Sequence, residues 1–559
     1  MNVSIEIIRL RLSQVILWVG PLATLAINPW GNYDPISVVK LSIISSFAFT
    51  ALALLISLRR LPTENRLLTI FSISFLISLI VPVFLSGAPL NQQIWGMFGR
   101  NTGFLAYVAL LILLFATAVV KDQLFYSRLV SWLIYTSLPV GAYCYVQISG
   151  NDPIGWSSFE TFGTLGNVNF LSAFLGMASI SATGMALKQD LKANHRYPLL
   201  LLVASNLYIV QSTGSIQGLF VYGIGVVCLV FLRLRTYSKS FLWQSIFSVF
   251  ILISSFPILA GLTGRGPLSK FLFQNSNVLR TDYWHAGWEM TIQNPIFGVG
   301  LDSYGDWYRK TRGQISTLRG SADRTSNSAH NIFLDLSSNG GVLLLFSYLA
   351  LLFLALWYSY LIYKKMEKRY DYVFAAIFSV WLAYQAQALI SINQLGVGIW
   401  GWIFTGALIG YGQLQCNGEK RIFNPIDYRK LKRNLLPAST SILTITGFLL
   451  GFVLSWFPLN ADSKFFSAYK SRDSQALIEV TKLPGATAWH MSRVIELSFK
   501  SGAYDQAQTM TKELLRKYPR DFFGWRALWF LPTTSESEKL TALERMKQLD
   551  PFNPEIHVP

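Results

Sequence analysis

His330 stands in the run Ser328-Ala-His-Asn-Ile-Phe-Leu-Asp335, ahead of an apolar stretch that opens at Gly340. An imidazole has an ordinary pKa of about 6.5, so it can accept a proton at neutral pH. The segment from Gly264 to Gly340 also holds Arg265, Lys270, Arg280, Arg309, Lys310, Arg312, Arg319, Arg324 and a second histidine, His285. A planar guanidinium grips phosphate oxygens in pairs and stays charged at any physiological pH. A base among such cations suits a hydroxyl attacking a centre activated by a phosphate leaving group. The same residues have quieter uses. The histidine can cap or pack a helix start, and the arginines can pair with Asp282, Glu289, Asp302, Asp306, Asp323 and Asp335. No His, Cys or carboxylate stands at metal-ligand spacing from His330, so the sequence implies no metal and no other cofactor.

What must position these residues is a membrane. Hydrophobic residues make up 52% of the 559 and charged residues 14%, well below the roughly 25% of a soluble chain. The apolar residues come in runs of bilayer-spanning length, at about 12–28, 36–57, 67–86, 102–120, 125–147, 168–187, 198–212, 218–232, 241–263, 340–363, 372–393, 396–415 and 437–457. The fold class is therefore all-α: a polytopic membrane protein of about thirteen transmembrane helices, with a large extracytoplasmic loop at about 264–339. Alternate connections carry the positive charge, from Arg9 and Arg11 through Arg233, Arg235 and Lys239 to the group between Lys420 and Arg433. The intervening short connections carry only Arg100. By the positive-inside rule the N-terminus is cytoplasmic, and the loop and everything after the thirteenth helix lie outside. The net charge of +18 is then a topology signal that also suits anionic membrane lipids, and no nucleic-acid partner is implied. Within the runs Lys40 is the clear charged exception, and no cluster of the kind transporters place near the midplane is seen.

Several pieces occur in a telling order: Leu279-Arg280-Thr-Asp-Tyr-Trp284, Asn294-Pro295-Ile-Phe-Gly298-Val-Gly300-Leu, Ala329-His330-Asn331-Ile-Phe-Leu334-Asp-Leu and then Gly340-Gly341. With the upstream Gly166-Asn167-Val-Asn169, this order resembles the O-antigen ligase and polymerase superfamily, which includes bacterial protein O-oligosaccharyltransferases; the resemblance spans roughly 10–415. It implies metal-independent transfer of a glycan from a polyprenyl-diphosphate carrier to an acceptor hydroxyl outside the bacterial cytoplasmic membrane. The acceptor would be a glycolipid, a glycan or a protein. His330 matches the family histidine that activates the acceptor, and Arg280 matches the arginine that holds the diphosphate. Asn331 and Trp284 would position the site. Where relatives carry Ser-Arg-Gly this chain has Ser212-Thr213-Gly214 with no arginine, so Arg100, Arg265, Arg319 or Arg324 would supply that phosphate contact. Polymerisation of lipid-linked repeat units is the near alternative, and transport of a lipid-linked glycan, with the loop as a lid, the distant one.

The chain divides into a transmembrane part, 1–457, and a part of different composition, 458–559, with 14 Lys and Arg against 12 Asp and Glu. Leu483-Pro484, Tyr518-Pro519 and Asp550-Pro551 recur at spacings of 35 and 32, close to the 34 of tetratricopeptide repeats. This predicts a short extracytoplasmic helical-repeat domain able to bind a protein partner. Its export by a thirteenth helix departs from ligases whose termini both lie inside.

Overall fold

A computed structural model of the chain describes residues 3–58, 65–156, 160–237, 241–262, 265–267, 269–272, 275–319, 321–366, 370–417 and 434–557. All regular structure among these residues is helical. The topology-setting cations Arg59, Arg60, Lys239, Lys368, Arg369 and the group from Lys420 to Arg433 lie outside the described residues.

Each of the thirteen apolar runs falls on a helix. In chain order these are α1 (Val3–Leu25), α2 (Ser37–Ser57), α3 (Arg66–Leu85), then a short α4 (Leu90–Trp95), α5 (Phe104–Ala118), α6 (Gln123–Ile148), α7 (Val168–Ala186), α8 (Ala193–Ser212), α9 (Gln217–Tyr237) and α10 (Phe241–Leu262). The long loop forms α11 (Ser269–Leu272), α12 (Asn275–Gln293), α13 (Tyr304–Thr311) and α14 (Gln314–Leu318). Then come α15 (Ile332–Lys365), α16 (Tyr372–Ala388), α17 (Leu395–Asn417) and α18 (Ala438–Ser471). Nine of them, α1, α2, α3, α6, α7, α9, α15, α17 and α18, are long and apolar enough to cross a membrane among the described residues. Capping follows the sequence: Asn65, Asp122, Asn167, Asn331 and Asp371 each accept a hydrogen bond from the first turn of α3, α6, α7, α15 and α16. The hub is α17, whose span is buried throughout and whose Trp400, Trp402 and Phe404 fill the centre of the bundle. Lys40 is fully buried in α2, and its Nζ donates to the Ala23 and Thr24 carbonyls at 2.7 and 2.8 Å. A cation there satisfies the open carbonyl end of α1, so its place in the bundle has a structural cause.

Two helices outrun their apolar stretches. At 34 residues α18 is about 51 Å long, against a hydrocarbon core of about 30 Å. It continues unbroken past 457 to Ser471, and its last turns pack on the connection between α1 and α2, with Phe465 edge-on to Tyr33. Its packing on α2 is close enough to exclude a side chain, since a Cβ on Gly451 would meet the Ser45 carbonyl at 2.3 Å. Ser455, one turn on, donates to Ser42 Oγ at 3.3 Å. Small residues four apart are what let two apolar helices touch without a hydrophobic driving force. The other long helix, α15, begins at Ile332 rather than near 340 and breaks at Gly341.

Beyond Ser471 the chain folds into consecutive helical hairpins, α19 (Ser474–Thr481), α20 (Ala488–Lys500), α21 (Tyr504–Lys517), α22 (Phe522–Phe530) and α23 (Glu536–Leu549), ending in α24 (Pro554–His557). Met491, Ile495, Met510 and Leu514 form one seam between them, and Leu515, Leu528 and Ala542 another. This region packs on the connections at one end of the bundle. Asp462 accepts from Asp34 N and Asn32 Nδ2, Asn91 Nδ2 donates to the Ala486 carbonyl at 2.5 Å, and Trp489 stacks on Phe98 at 4.0 Å between ring centres. The connections it touches are the ones the charge pattern assigns to a single side.

The α2–α18 contact can be tested with one methyl group. Gly451→Ala is expected to lower the thermal stability of the purified protein by about 1–3 kcal/mol through overpacking. Gly223→Ala, whose Cβ meets nothing within 4 Å, is expected to change it by less than about 0.5 kcal/mol. Equal melting shifts in the two variants would remove the close packing.

Candidate functional site

The site is built on the break in α15. Gly341 adopts φ +76, and a Cβ there would meet the Ile296 carbonyl oxygen at 2.2 Å. Val342 N donates to the Pro295 carbonyl at 2.8 Å instead of back along its own helix. The Ser338 and Asn339 carbonyls accept instead from Val299 N at 2.8 Å and Gly300 N at 3.0 Å. The Asn294–Leu301 and Gly340-Gly341 motifs are thus two halves of one joint, which fixes the short first segment of α15, Ile332–Gly340, against the loop. Asn331 caps that segment, its Oδ1 accepting from Phe333 N at 3.0 Å and Leu334 N at 3.2 Å.

Arg100 ties this segment to the rest. It is 7% exposed, with Nη1 3.7 Å from Asp302 Oδ1 and Nη2 3.7 Å from Asp335 Oδ2, and Nη1 also donates to the Asn327 carbonyl. Each carboxylate has further donors. Asp302 Oδ2 accepts from Met97 N at 2.8 Å, and Asp335 accepts from Ala329 N at 2.8 Å and Ser328 Oγ at 2.7 Å. The carboxylates are well supplied with donors, whereas the buried Nε of Arg100 has no hydrogen-bond partner among the described residues. The guanidinium therefore depends on its two ion pairs and the Asn327 carbonyl. Three of the four non-glycine residues with left-handed backbone among those described sit here: Asn101 at φ 52, Asp302 at φ 53 and His330 at φ 52. Strain of this kind costs on the order of 1–3 kcal/mol per residue, survives only where surroundings enforce it and gathers at functional sites.

His330 is presented by this frame. Its main-chain N–H donates to Ser328 Oγ at 3.0 Å, and its ring lies face-on to Tyr283 with 5.2 Å between centres. Tyr283 is three residues from Arg280 on α12, which puts the two on one helix face. The imidazole is mostly buried, and its pKa is pushed down to about 4, chiefly by burial and then by the charges of Arg280 and Arg100. Burial also lowers the pKa of Arg280 from its ordinary value. The ring is therefore neutral near pH 7, with Arg280 and Arg100 close enough to act on it. Trp284 adds a buried indole Nε1 that has no hydrogen-bond partner.

The structure separates the remaining cations. Arg319 is exposed and pairs with Asp282 at 2.9 Å, Arg324 is exposed and close enough to Tyr283 to oppose the burial that raises its pKa, and Arg265 is exposed after α10. Arg309 and Arg312 are committed to the C-terminal region, both contacting Asp550. Among the described residues no group of three or more His, Cys, Asp or Glu is placed to hold a metal ion. Asp302 and Asp335 entered the sequence reading only as ion-pair partners for the loop arginines. Their use as the seat for Arg100, from another connection, had no local signal. Tyr283 was also missed, although its place one helical turn from Arg280 could have suggested it.

Residues 198–349 match the family model Wzy_C, O-Antigen ligase. The matched span runs from α8 past the Gly341 break and contains Arg280, Trp284, His330 and Asn331, while Arg100 and the Gly166–Asn169 segment lie before it. No curated protein matches the chain. The match, on a bundle with many apolar helices, supports a multi-pass membrane protein of the glycan ligase and polymerase kind.

The frame makes a stability prediction. Arg100→Gln leaves two buried carboxylates without their cation and is expected to cost about 3–5 kcal/mol. Arg319→Ala, which removes a half-exposed pair, is expected to cost under about 1 kcal/mol. Thermal unfolding in one detergent compares them, and similar losses would mean that Arg100 is not the keystone.

Proposed function

We propose that this protein transfers a glycan from a polyprenyl-diphosphate carrier to an acceptor hydroxyl on the outer side of a bacterial cytoplasmic membrane. The observation that carries the reading is His330, a neutral imidazole held in left-handed backbone against Tyr283 and in the field of Arg280. An acceptor O–H gives its proton to the ring as its oxygen attacks the anomeric carbon. The bond from that carbon to the diphosphate oxygen breaks, and the lipid diphosphate departs with one more negative charge. Arg280 stabilises that charge as it develops, a larger service in a partly buried site than in water. Asn331 and Trp284 set the place of the ring and of the donor. Arg100, whose charge two carboxylates already share, organises the site, and Arg319 and Arg324 serve at its rim. Arg265 stands further out along the same loop.

The low pKa of His330 has a use in this scheme. A base of pKa about 4 is ready but weak. An anionic diphosphate arriving at Arg280 offsets the cationic field and raises the basicity of the ring, so the base strengthens when the donor is in place. The region after Ser471 would lie on the same outer side, its tetratricopeptide-like spacing suiting a protein partner.

The test is transfer by purified protein supplied with a polyprenyl-diphosphate glycan and with glycolipid, glycan or protein acceptors. His330→Ala is expected to lower turnover by roughly 10²–10⁴-fold, the usual worth of a positioned base, and a divalent-cation chelator is expected to leave the wild type unchanged. Intact donor with every acceptor class, or full activity in His330→Ala, would end the reading. The pH profile is a separate check. As a base, His330 works deprotonated, so kcat/KM should hold at neutral pH and fall as pH drops through about 4. In Arg280→Gln that acid limb should move upward, short of the ordinary value because burial remains. A wild-type limb at the ordinary imidazole value, unmoved by Arg280→Gln, would contradict it.

A further inference from the structure

Asp550 ends α23 and is fully buried. Its carboxylate accepts from Arg312 Nε at 3.2 Å and Nη2 at 2.8 and 2.7 Å, from Arg309 Nη1 at 2.9 Å and from Asn553 Nδ2 at 3.0 Å. Both arginines belong to the outer loop, more than two hundred residues earlier in the chain. Their other N–H groups point at one strip of backbone. Arg309 donates to the Ala322 and Asp323 carbonyls at 3.0 and 3.1 Å, and Arg312 to the Ala322 and Arg324 carbonyls at 2.8 and 3.0 Å. Three successive carbonyls are thus held by two guanidinium groups, and one carboxylate from the C-terminal region orients that pair and offsets part of its charge.

The strip leads to the catalytic imidazole. Its middle is held where Arg100 donates to the Asn327 carbonyl, and its end where Ser328 Oγ donates to Asp335 and receives His330 N. Of the contacts that hold its backbone carbonyls, those organised by Asp550 are the ones that reach the C-terminal region, where Arg526 also pairs with the Asp323 side chain at the surface. Without Asp550, the buried Arg312 loses the carboxylate it grips and Arg309 falls back on its longer contact with Asp323 at 3.5 Å, while each guanidinium raises the cost of charge on its neighbour. Arg309 also lies 4.2 Å over the Phe522 ring of α22, which fixes its stem from the same side.

We infer that Asp550 is a positioning residue: through Arg309 and Arg312 the C-terminal helical region braces backbone 322–324 and thereby holds His330 at its place. The inference rests on the reading of His330 as the transfer base, but its first test does not. Hydrogen–deuterium exchange of the full-length protein follows peptides covering 321–331. In Asp550→Asn these amides should exchange at least about tenfold faster, as in a local opening, while the transmembrane helices keep their protection. Asp550→Glu should restore most of the protection. Lys512→Ala, which removes an exposed pair with Glu538 within the C-terminal region itself, should leave it unchanged. If Asp550→Asn does not fold, Arg312→Lys keeps the charge and loses the forked grip, and should open the same peptides.

In the transfer assay Asp550→Asn should lower kcat at least about tenfold with donor KM changed less than about twofold, and Asp550→Glu should recover it, as expected for a misplaced base rather than lost binding. Unchanged exchange in a folded Asp550→Asn or Arg312→Lys protein would overturn the brace even if the wild type transfers glycan. Faster exchange in a protein whose wild type transfers nothing would keep the brace and remove the proposed chemistry.

Discussion

Arg100 between Asp302 and Asp335 is the interaction on which this end of the bundle depends. It joins the connection before α5, the turn after the Asn294–Leu301 motif and the first segment of α15, adding charge pairing to the backbone bonds that already link them. A buried guanidinium with two carboxylates is stable only if every partner is in place. That demand makes the arrangement nearly all-or-none, and it enforces the left-handed backbone at Asn101, Asp302 and His330. The glycine break in α15 serves the same end, since an unbroken helix would keep Ser338 and Asn339 for itself and leave the loop unanchored.

This frame fixes the His330 imidazole in the field of Arg280, and the C-terminal region packs on the loop that carries it. A helical array that packs on the connections of a membrane bundle need not be a tethered arm. Asp462 with Asn32 and Asp34, Trp489 on Phe98, and Asp550 with Arg309 and Arg312 make it a wall at this end of the bundle. The unbroken run of α18 out of the bundle fixes where that wall begins, and its close contact with α2 keeps the helix from turning.

Much of this was legible in the sequence, for physical reasons that vary by element. Apolar runs of spanning length announce helices because lipid tolerates little else, and all thirteen lie on helices. His330 stood out as a titratable group at the start of an apolar run, Arg280 was singled out from eight loop cations only by the family resemblance, and the structure brings the two within electrostatic reach. The start of α15 was hidden because Ser337, Ser338 and Asn339 look like loop to a hydropathy reading, although capping by Asn331 and joining to Val299 and Gly300 make them helical. The length of α18 was hidden likewise, since its last turns are polar yet continue the same helix. Asp550 was readable as the end of a helix, beside Pro551, but its partners lie in another part of the chain and no local pattern could name them. The loop arginines were the hardest to sort. Arg309, Arg312 and Arg319 spend their charge on Asp550 and Asp282, and only the folded chain shows which cations remain beside the imidazole.

The central claim, that the lipid-diphosphate donor seats against the imidazole of His330, is tested most directly by carbethoxylation of that ring with diethyl pyrocarbonate. The rate is followed by mass spectrometry on the folded wild-type protein between about pH 5.5 and 7.5, with and without a polyprenyl-diphosphate glycan. The reagent modifies neutral imidazole, so a ring whose pKa is pushed down to about 4 should react at a rate independent of pH across that window, and bound donor should suppress the reaction. A rate that falls with the midpoint of an ordinary imidazole, and that the donor leaves unchanged, would contradict the account.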